Sequence, residues 1–149
     1  MRNTARLLAC TAALAGSFVG LSITPSLAAD QPAAPAVALE LNKLEPTDKG
    51  CRAYMVVNNP TDTVYQTYKL DLVLFQADGV IGRRVALDLS PVKAQKRTVK
   101  LFDLDGMACD KIGSFLINDV MECKAETGAA ENCLQRLTTT SLSNVKLSK

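Results

Sequence analysis

An all-β domain is predicted by three features of this sequence. Short runs rich in Val, Ile, Leu and aromatic residues recur from Val37 onward, groups of Asn, Asp, Gly and Pro punctuate them, and no stretch sustains a helical apolar period. The runs are Val37 to Leu44, Arg52 to Asn58, Gln66 to Gln76, Val80 to Leu89, Arg97 to Leu104, Ile112 to Val120 and Leu137 to Leu147. Seven runs within residues 37–149 imply an immunoglobulin-like antiparallel β-sandwich of about seven strands. A barrel of about eight strands is the structural alternative.

Ahead of the first run the chain has the composition of an export signal. Arg2 and Arg6 give a positive start, Leu7 to Ile23 is apolar and free of charge, Pro25 breaks the helix, and Ser26, Leu27 and Ala28 place small residues where a signal peptidase reads. Residues 1–28 are therefore expected to be a signal peptide cut between Ala28 and Ala29, with Ala29/Asp30 as the alternative. The apolar run has 17 residues, whereas a membrane span needs about 20, so no span is expected after cleavage. The two arginines are not adjacent, which points to the general secretory route. Leu7-Leu8-Ala9-Cys10 is similar to a lipobox, but almost none of the apolar run precedes it. Residues 29–36 form an Ala/Pro-rich tether into the domain.

The turn formers between the runs each have a mechanism. Pro46 to Gly50, Asn58 to Asp62, Ala77-Asp78-Gly79 and Ser90-Pro91 separate successive runs, and Gly79 is expected to take the positive φ of a tight hairpin. In the third run Leu70, Leu72 and Leu74 alternate with Lys69 and Asp71, the pattern of one buried and one wet face. Val73 and Phe75 break it. They belong either to a strand covered on both sides or to an exposed apolar patch that binds a partner, and they are the candidate partner-binding residues. The stretch Glu122 to Cys133 suits a short helix or a loop.

Composition removes whole classes of function. The chain has no His, which excludes Ser-His-Asp and Cys-His triads and any His-containing zinc site. Loss of Arg2 and Arg6 with the leader leaves 15 basic against 15 acidic residues, and no basic block, so nucleic acid is not an expected partner. Ser90, Ser114 and Ser141 sit in no nucleophile motif, and no Gly-rich loop would cradle a phosphate. Arg83 and Arg84 must face opposite ways on a strand, and Lys93, Lys96, Arg97 and Lys100 read as a solvated sheet edge.

Cleavage also leaves four cysteines, Cys51, Cys109, Cys123 and Cys133, an even number suited to an oxidising compartment. Three pairings are open. Cys123 with Cys133 closes a local loop poor in apolar residues, and Cys51 with Cys109 then joins distant parts of the domain. With six aromatic residues after cleavage, the core must rest on Leu, Val and Ile, and the longer staple is expected to contribute on the order of 4 kcal/mol.

One local string has the chemistry of a site. Asp103, Asp105 and Asp110 punctuate a run through Gly106 and Cys109. It resembles the second half of the extracellular calcium-binding pattern called Excalibur, with Leu101 where that pattern has its first aspartate. Calcium is the ion three such carboxylates would suit, and no other cofactor is expected. A strand end running into an Asp-Gly turn is the plainer reading.

A wider resemblance covers Cys51 to Leu101. Val56-Val57-Asn58-Asn59-Pro60, the alternating Tyr68 to Phe75, Asp78-Gly79-Val80-Ile81, and Leu89-Ser90-Pro91 followed by Thr98-Val99-Lys100 resemble FxLYD-type and related small immunoglobulin-like domains of bacterial envelope proteins. The whole chain is similar to uncharacterised exported proteins of Gram-negative bacteria that carry a twin-arginine label. These resemblances imply a periplasmic sandwich whose role is binding rather than catalysis. The expected function is a non-enzymatic adaptor or binding module for another cell-envelope protein, through a sheet edge or the Val73/Phe75 face. The alternative is a small-ligand or calcium-binding module at Asp103, Asp105 and Asp110.

Overall fold

The structure, a computed structural model, describes residues 37–149. The signal peptide expected over residues 1–28 and the tether over 29–36 lie outside the described residues. Among the described residues no helix is long and apolar enough to cross a membrane.

Strands dominate, in two sheets. The first holds β1 (Val37–Thr47), β2 (Gly50–Asn59), β5 (Lys96–Asp105) and β8 (Leu137–Ser141) in the order β5-β2-β1-β8. The second holds β3 (Tyr65–Gln76), β4 (Ile81–Asp88) and β6 (Ile112–Ala125) in the order β4-β3-β6, with β7 (Gly128–Ala129) and β9 (Lys146–Ser148) along the other side of β6. A 3-10 turn at Cys109–Lys111 and a one-turn helix α1 (Cys133–Arg136) complete the fold.

Each predicted run contains a strand, but two expectations change. The domain is not wholly antiparallel, because the last run divides between the sheets. Leu137–Ser141 pairs parallel with β1, the chain bends through residues 142–145, and Lys146–Ser148 pairs parallel with β6. No hairpin joins either pair, so nothing imposes the antiparallel sense. At the bend the Ser141 hydroxyl donates to the Val145 carbonyl at 2.6 Å, and Leu142 N–H returns to the Leu41 carbonyl at 2.9 Å. The second change is at Glu122 to Cys133. β6 runs on to Ala125 opposite β3, and helix is confined to α1.

The inner faces follow the two-residue period. Leu39 and Leu41 of β1, Ala53, Met55 and Val57 of β2, and Leu104 of β5 meet Leu70, Leu72 and Leu74 of β3, Leu87 of β4 and Phe115 and Ile117 of β6 in one core. Tyr65 and Tyr68 pack edge to face with ring centroids 5.4 Å apart. Tyr68 is 1% exposed, its hydroxyl donates to the Cys133 carbonyl at 3.3 Å, and burial pushes its pKa above the usual range.

Polar contacts close what the aliphatic core leaves open. On the side where β4 and β5 are the sheet edges, Arg83 Nη1 donates to the Asp105 carbonyl at 2.6 Å and Lys100 Nζ to the Ser90 carbonyl at 2.8 Å. Arg83 and Arg84 do face opposite ways, as alternation requires. At one end of the sheets Asn59 has no exposed surface. Its Nδ2 donates to the Thr63 and Lys93 carbonyls at 2.7 and 3.1 Å, and its Oδ1 accepts from Thr61 N–H and Oγ1. This one side chain ties the β2–β3 and β4–β5 connections together.

The β3–β4 connection is a three-residue loop, Ala77-Asp78-Gly79, between the paired Gln76 and Val80. Gly79 sits at φ +84, as the sequence predicted for this position. The cysteines pair as Cys51–Cys109, joining the start of β2 to the 3-10 turn, and Cys123–Cys133, joining β6 to α1.

Chain-entropy arguments set the expected effect of each staple. Replacing Cys51 and Cys109 by Ala, which opens a separation of 58 residues, should lower unfolding free energy by about 4 kcal/mol. Replacing Cys123 and Cys133, 10 residues apart, should cost about 3 kcal/mol, both read from urea unfolding. Asn59→Ala strands several buried backbone groups and should cost at least about 2 kcal/mol in the same assay.

Candidate functional site

The alternation in β3 sends Lys69, Asp71, Val73 and Phe75 to the outer face of the second sheet. Each has its own cross-strand row. Lys69 lies opposite Glu122 and pairs with it at 3.0 Å. Asp71 lies between Ala86 and Asp119, Val73 between Arg84 and Leu116, and Phe75 between Ile81 and Ser114.

Asp71 is the structural centre of this face. It is 4% exposed, and its carboxylate accepts from Arg84 Nε and Nη2 at 2.6 and 2.7 Å and from Asn118 Nδ2 at 2.7 Å. The two-pronged Arg84 bond is the main reason its pKa falls below the usual carboxylate range, and Asn118 adds to it. Burial works in the opposite direction but does not prevail. Arg84 starts opposite Val73 and ends on Asp71, two positions along β3.

Of the two residues singled out in the sequence, Val73 is 7% exposed and presents little surface, while Phe75 is half-buried. Phe75 gains a neighbour that simple alternation hides. β4 pairs Arg83 with Leu74 but Ile81 with Phe75, so Gly82 is an extra residue in a bulge and Ile81 turns outward. A Cβ at Gly82 would lie 2.7 Å from the Met107 methyl, the flexible end of a side chain that would have to shift aside. Ile81 is 61% exposed and Val80 is 58% exposed, which makes an apolar corner with Phe75 at the hairpin. The sequence signal was the glycine inside an otherwise strand-like run.

The three aspartates of the calcium-like string are placed differently from one another. Asp103, on the outer face of β5, accepts from Arg52 Nε and Nη2 at 2.6 and 3.1 Å, and that bond draws its pKa down. Asp103 and Asp105 line a shallow cleft of 250 Å³ with Asp48 and Lys49, whereas Asp110 lines a neighbouring one of 520 Å³ beside Cys109 and pairs with Lys111 at 3.6 Å. Among the described residues no group of three or more His, Cys, Asp or Glu side chains is placed to hold a metal ion. Ser90 and Ser141 serve the backbone: Ser90 Oγ accepts from Tyr68 N–H at 2.8 Å, and Ser141 fastens its own bend.

The outer face of the first sheet carries a second apolar feature. Val99 and Leu101 are 57% and 50% exposed, opposite Val56 and Tyr54 of β2. Tyr54 is held on that face, donating to Glu45 Oε1 at 3.0 Å beneath Lys43 Nζ, which is 4.2 Å from the ring centroid. In β5 the apolar phase changes: Val99 and Leu101 face outward, whereas Phe102 and Leu104 lie opposite Ala53 and Cys51 and face the core. A run read as one strand with one apolar face conceals that change.

Comparison with protein-family models, with curated proteins and with solved structures finds no match.

The Asp71 clamp carries a pH signature. A carboxylate whose folded pKa is depressed contributes stability that is present above its unfolded pKa and lost as pH falls through the folded value. Asp71, lowered from 3.8, should therefore add to acid destabilisation below that pH. Asp71→Asn should be less stable at neutral pH and should lose less stability than the parent between about pH 5 and pH 2, followed by urea midpoints.

Proposed function

We propose that this protein is an exported, non-enzymatic binding module, an immunoglobulin-like sandwich of the periplasm that docks another cell-envelope protein. The docking surface is the corner formed by Phe75, Ile81 and Val80 on the second sheet. The observation that carries this reading is Ile81, 61% exposed, standing opposite Phe75 beside the Asp71–Arg84–Asn118 clamp. An apolar centre that includes an aromatic ring, rimmed by polar groups, is the usual anatomy of a protein–protein interface.

Several features support the setting. Two disulfides suit an oxidising compartment, the first 28 residues have the composition of an export signal, and the pattern from Cys51 to Leu101 resembles FxLYD-type envelope domains. The absence of His argues for binding over the commoner hydrolytic chemistries.

A photo-crosslinking residue placed at Ile81 in the exported protein should give one discrete adduct with an envelope protein in cells. The same residue at Thr138, on the opposite sheet, should give none. Phe75→Ser should weaken the captured interaction by at least about tenfold while the melting transition stays cooperative. No adduct at Ile81, or one that Phe75→Ser leaves unchanged, overturns the proposal.

A further inference from the structure

Among the described residues β5 is paired on one side only, with β2. Which of its backbone groups are left at the free edge follows from one bond. Gly106 N–H donates to the Lys49 carbonyl at 2.7 Å, and the same register continues through Leu104–Cys51, Phe102–Ala53 and Lys100–Met55. Hydrogen-bonded and non-hydrogen-bonded pairs alternate along an antiparallel ladder. The even-numbered residues therefore turn their N–H and C=O toward β2, and Arg97, Val99, Leu101 and Asp103 turn theirs outward. The Asp105 carbonyl fits the same phase, since it is taken by Arg83 from outside the ladder.

The side chains of those four residues are ordered base, apolar, apolar, acid. Reversed end to end, that order is its own complement. We infer that two copies of this chain pair antiparallel along their β5 edges, about a two-fold axis at Lys100. Val99 then lies opposite the second copy's Leu101, and Arg97 opposite its Asp103. All four edge residues of each copy meet in hydrogen-bonded pairs, giving about eight new backbone hydrogen bonds. Val99 and Leu101, 57% and 50% exposed in one copy, cover each other's counterparts.

Side-chain matching and edge availability select this register. A shift of two residues one way sets Val99 against Asp103 and draws Asp105, whose carbonyl Arg83 already occupies, into the ladder opposite Arg97, and the other way sets Arg97 against Leu101. Asp103 already accepts from Arg52, but a carboxylate has further lone pairs for a second guanidinium, while the Arg97–Glu40 contact at 3.5 Å is loose. Lys100 meets its own copy across the axis, yet its Nζ is drawn to the Ser90 carbonyl on the inner side. The basic residues of this edge thus act against other registers rather than against association itself. The pairing uses the sheet opposite the Phe75–Ile81 corner and stands independently of the partner proposed for it.

Sedimentation of the purified exported protein from micromolar to submillimolar concentration should show a monomer–dimer equilibrium. Val99→Pro removes an edge N–H without touching the β2 ladder, and should weaken dimerisation at least about tenfold, since the loss occurs twice per dimer. Leu101→Lys should do the same through the side chains, and serves if the proline variant does not fold. Lys100→Cys places two thiols on a non-hydrogen-bonded pair with Cα atoms about 4.5 Å apart, within disulfide reach, and should oxidise to a covalent dimer. Lys96→Cys should not. A protein that stays monomeric throughout the range overturns the inference. So does a dimer indifferent to the folded β5 variants, or one in which Lys96→Cys crosslinks and Lys100→Cys does not.

Discussion

Everything in this domain depends on closing two sheets over a core made almost entirely of aliphatic side chains. Tyr65, Tyr68 and Phe115 are the large rings inside it, and Leu, Val, Ile and Met fill the rest. Such a core is non-directional, and apolar burial alone does not fix how one sheet lies on the other. Directional contacts do that work at the margins. The disulfides fasten the chain at the start of β2 and beyond the end of β6, Asn59 ties two connections at one end, and Arg83 and Lys100 reach carbonyls across the open side.

The same division explains the outer faces. Asp71 lies on a sheet surface, yet it is covered as completely as a core residue because its own partners cover it. An acid so placed holds β3, β4 and β6 in one geometry through Arg84 and Asn118, and the apolar corner at the hairpin is presented on that fixed base. On the first sheet, the Arg52–Asp103 and Tyr54–Glu45 contacts order the outer surface of β5 and β2 in a comparable way.

Strand positions and cysteine pairing were legible because they rest on local signals: two-residue alternation, turn formers, and the small separation of Cys123 and Cys133. What escaped the sequence came from phase and from distance. The Gly82 bulge turns Ile81 outward against the parity of its neighbours, and the change of phase in β5 exposes Val99 and Leu101. The last run looked like one strand because both halves are β-formers, although Ser141 to Val145 carries the polar residues of a bend. The aspartate string was visible as composition, but the long-range partner that occupies Asp103, Arg52, is 51 residues away in the chain.

The passage of β8 into β9 fastens one margin of the two sheets through the chain itself. Along one side the backbone itself crosses from the first sheet to the second through residues 142–145. Along the other, the chain crosses through the 89–95 connection, and two cations resting on carbonyl oxygens, Arg83 on Asp105 and Lys100 on Ser90, span the gap between β4 and β5. Neutral carbonyls hold a cation less firmly than a carboxylate would, and neither contact is covalent. The two margins are thus closed by different means: a bend fastened by its own serine hydroxyls on one side, and long cationic side chains beside the 89–95 connection on the other.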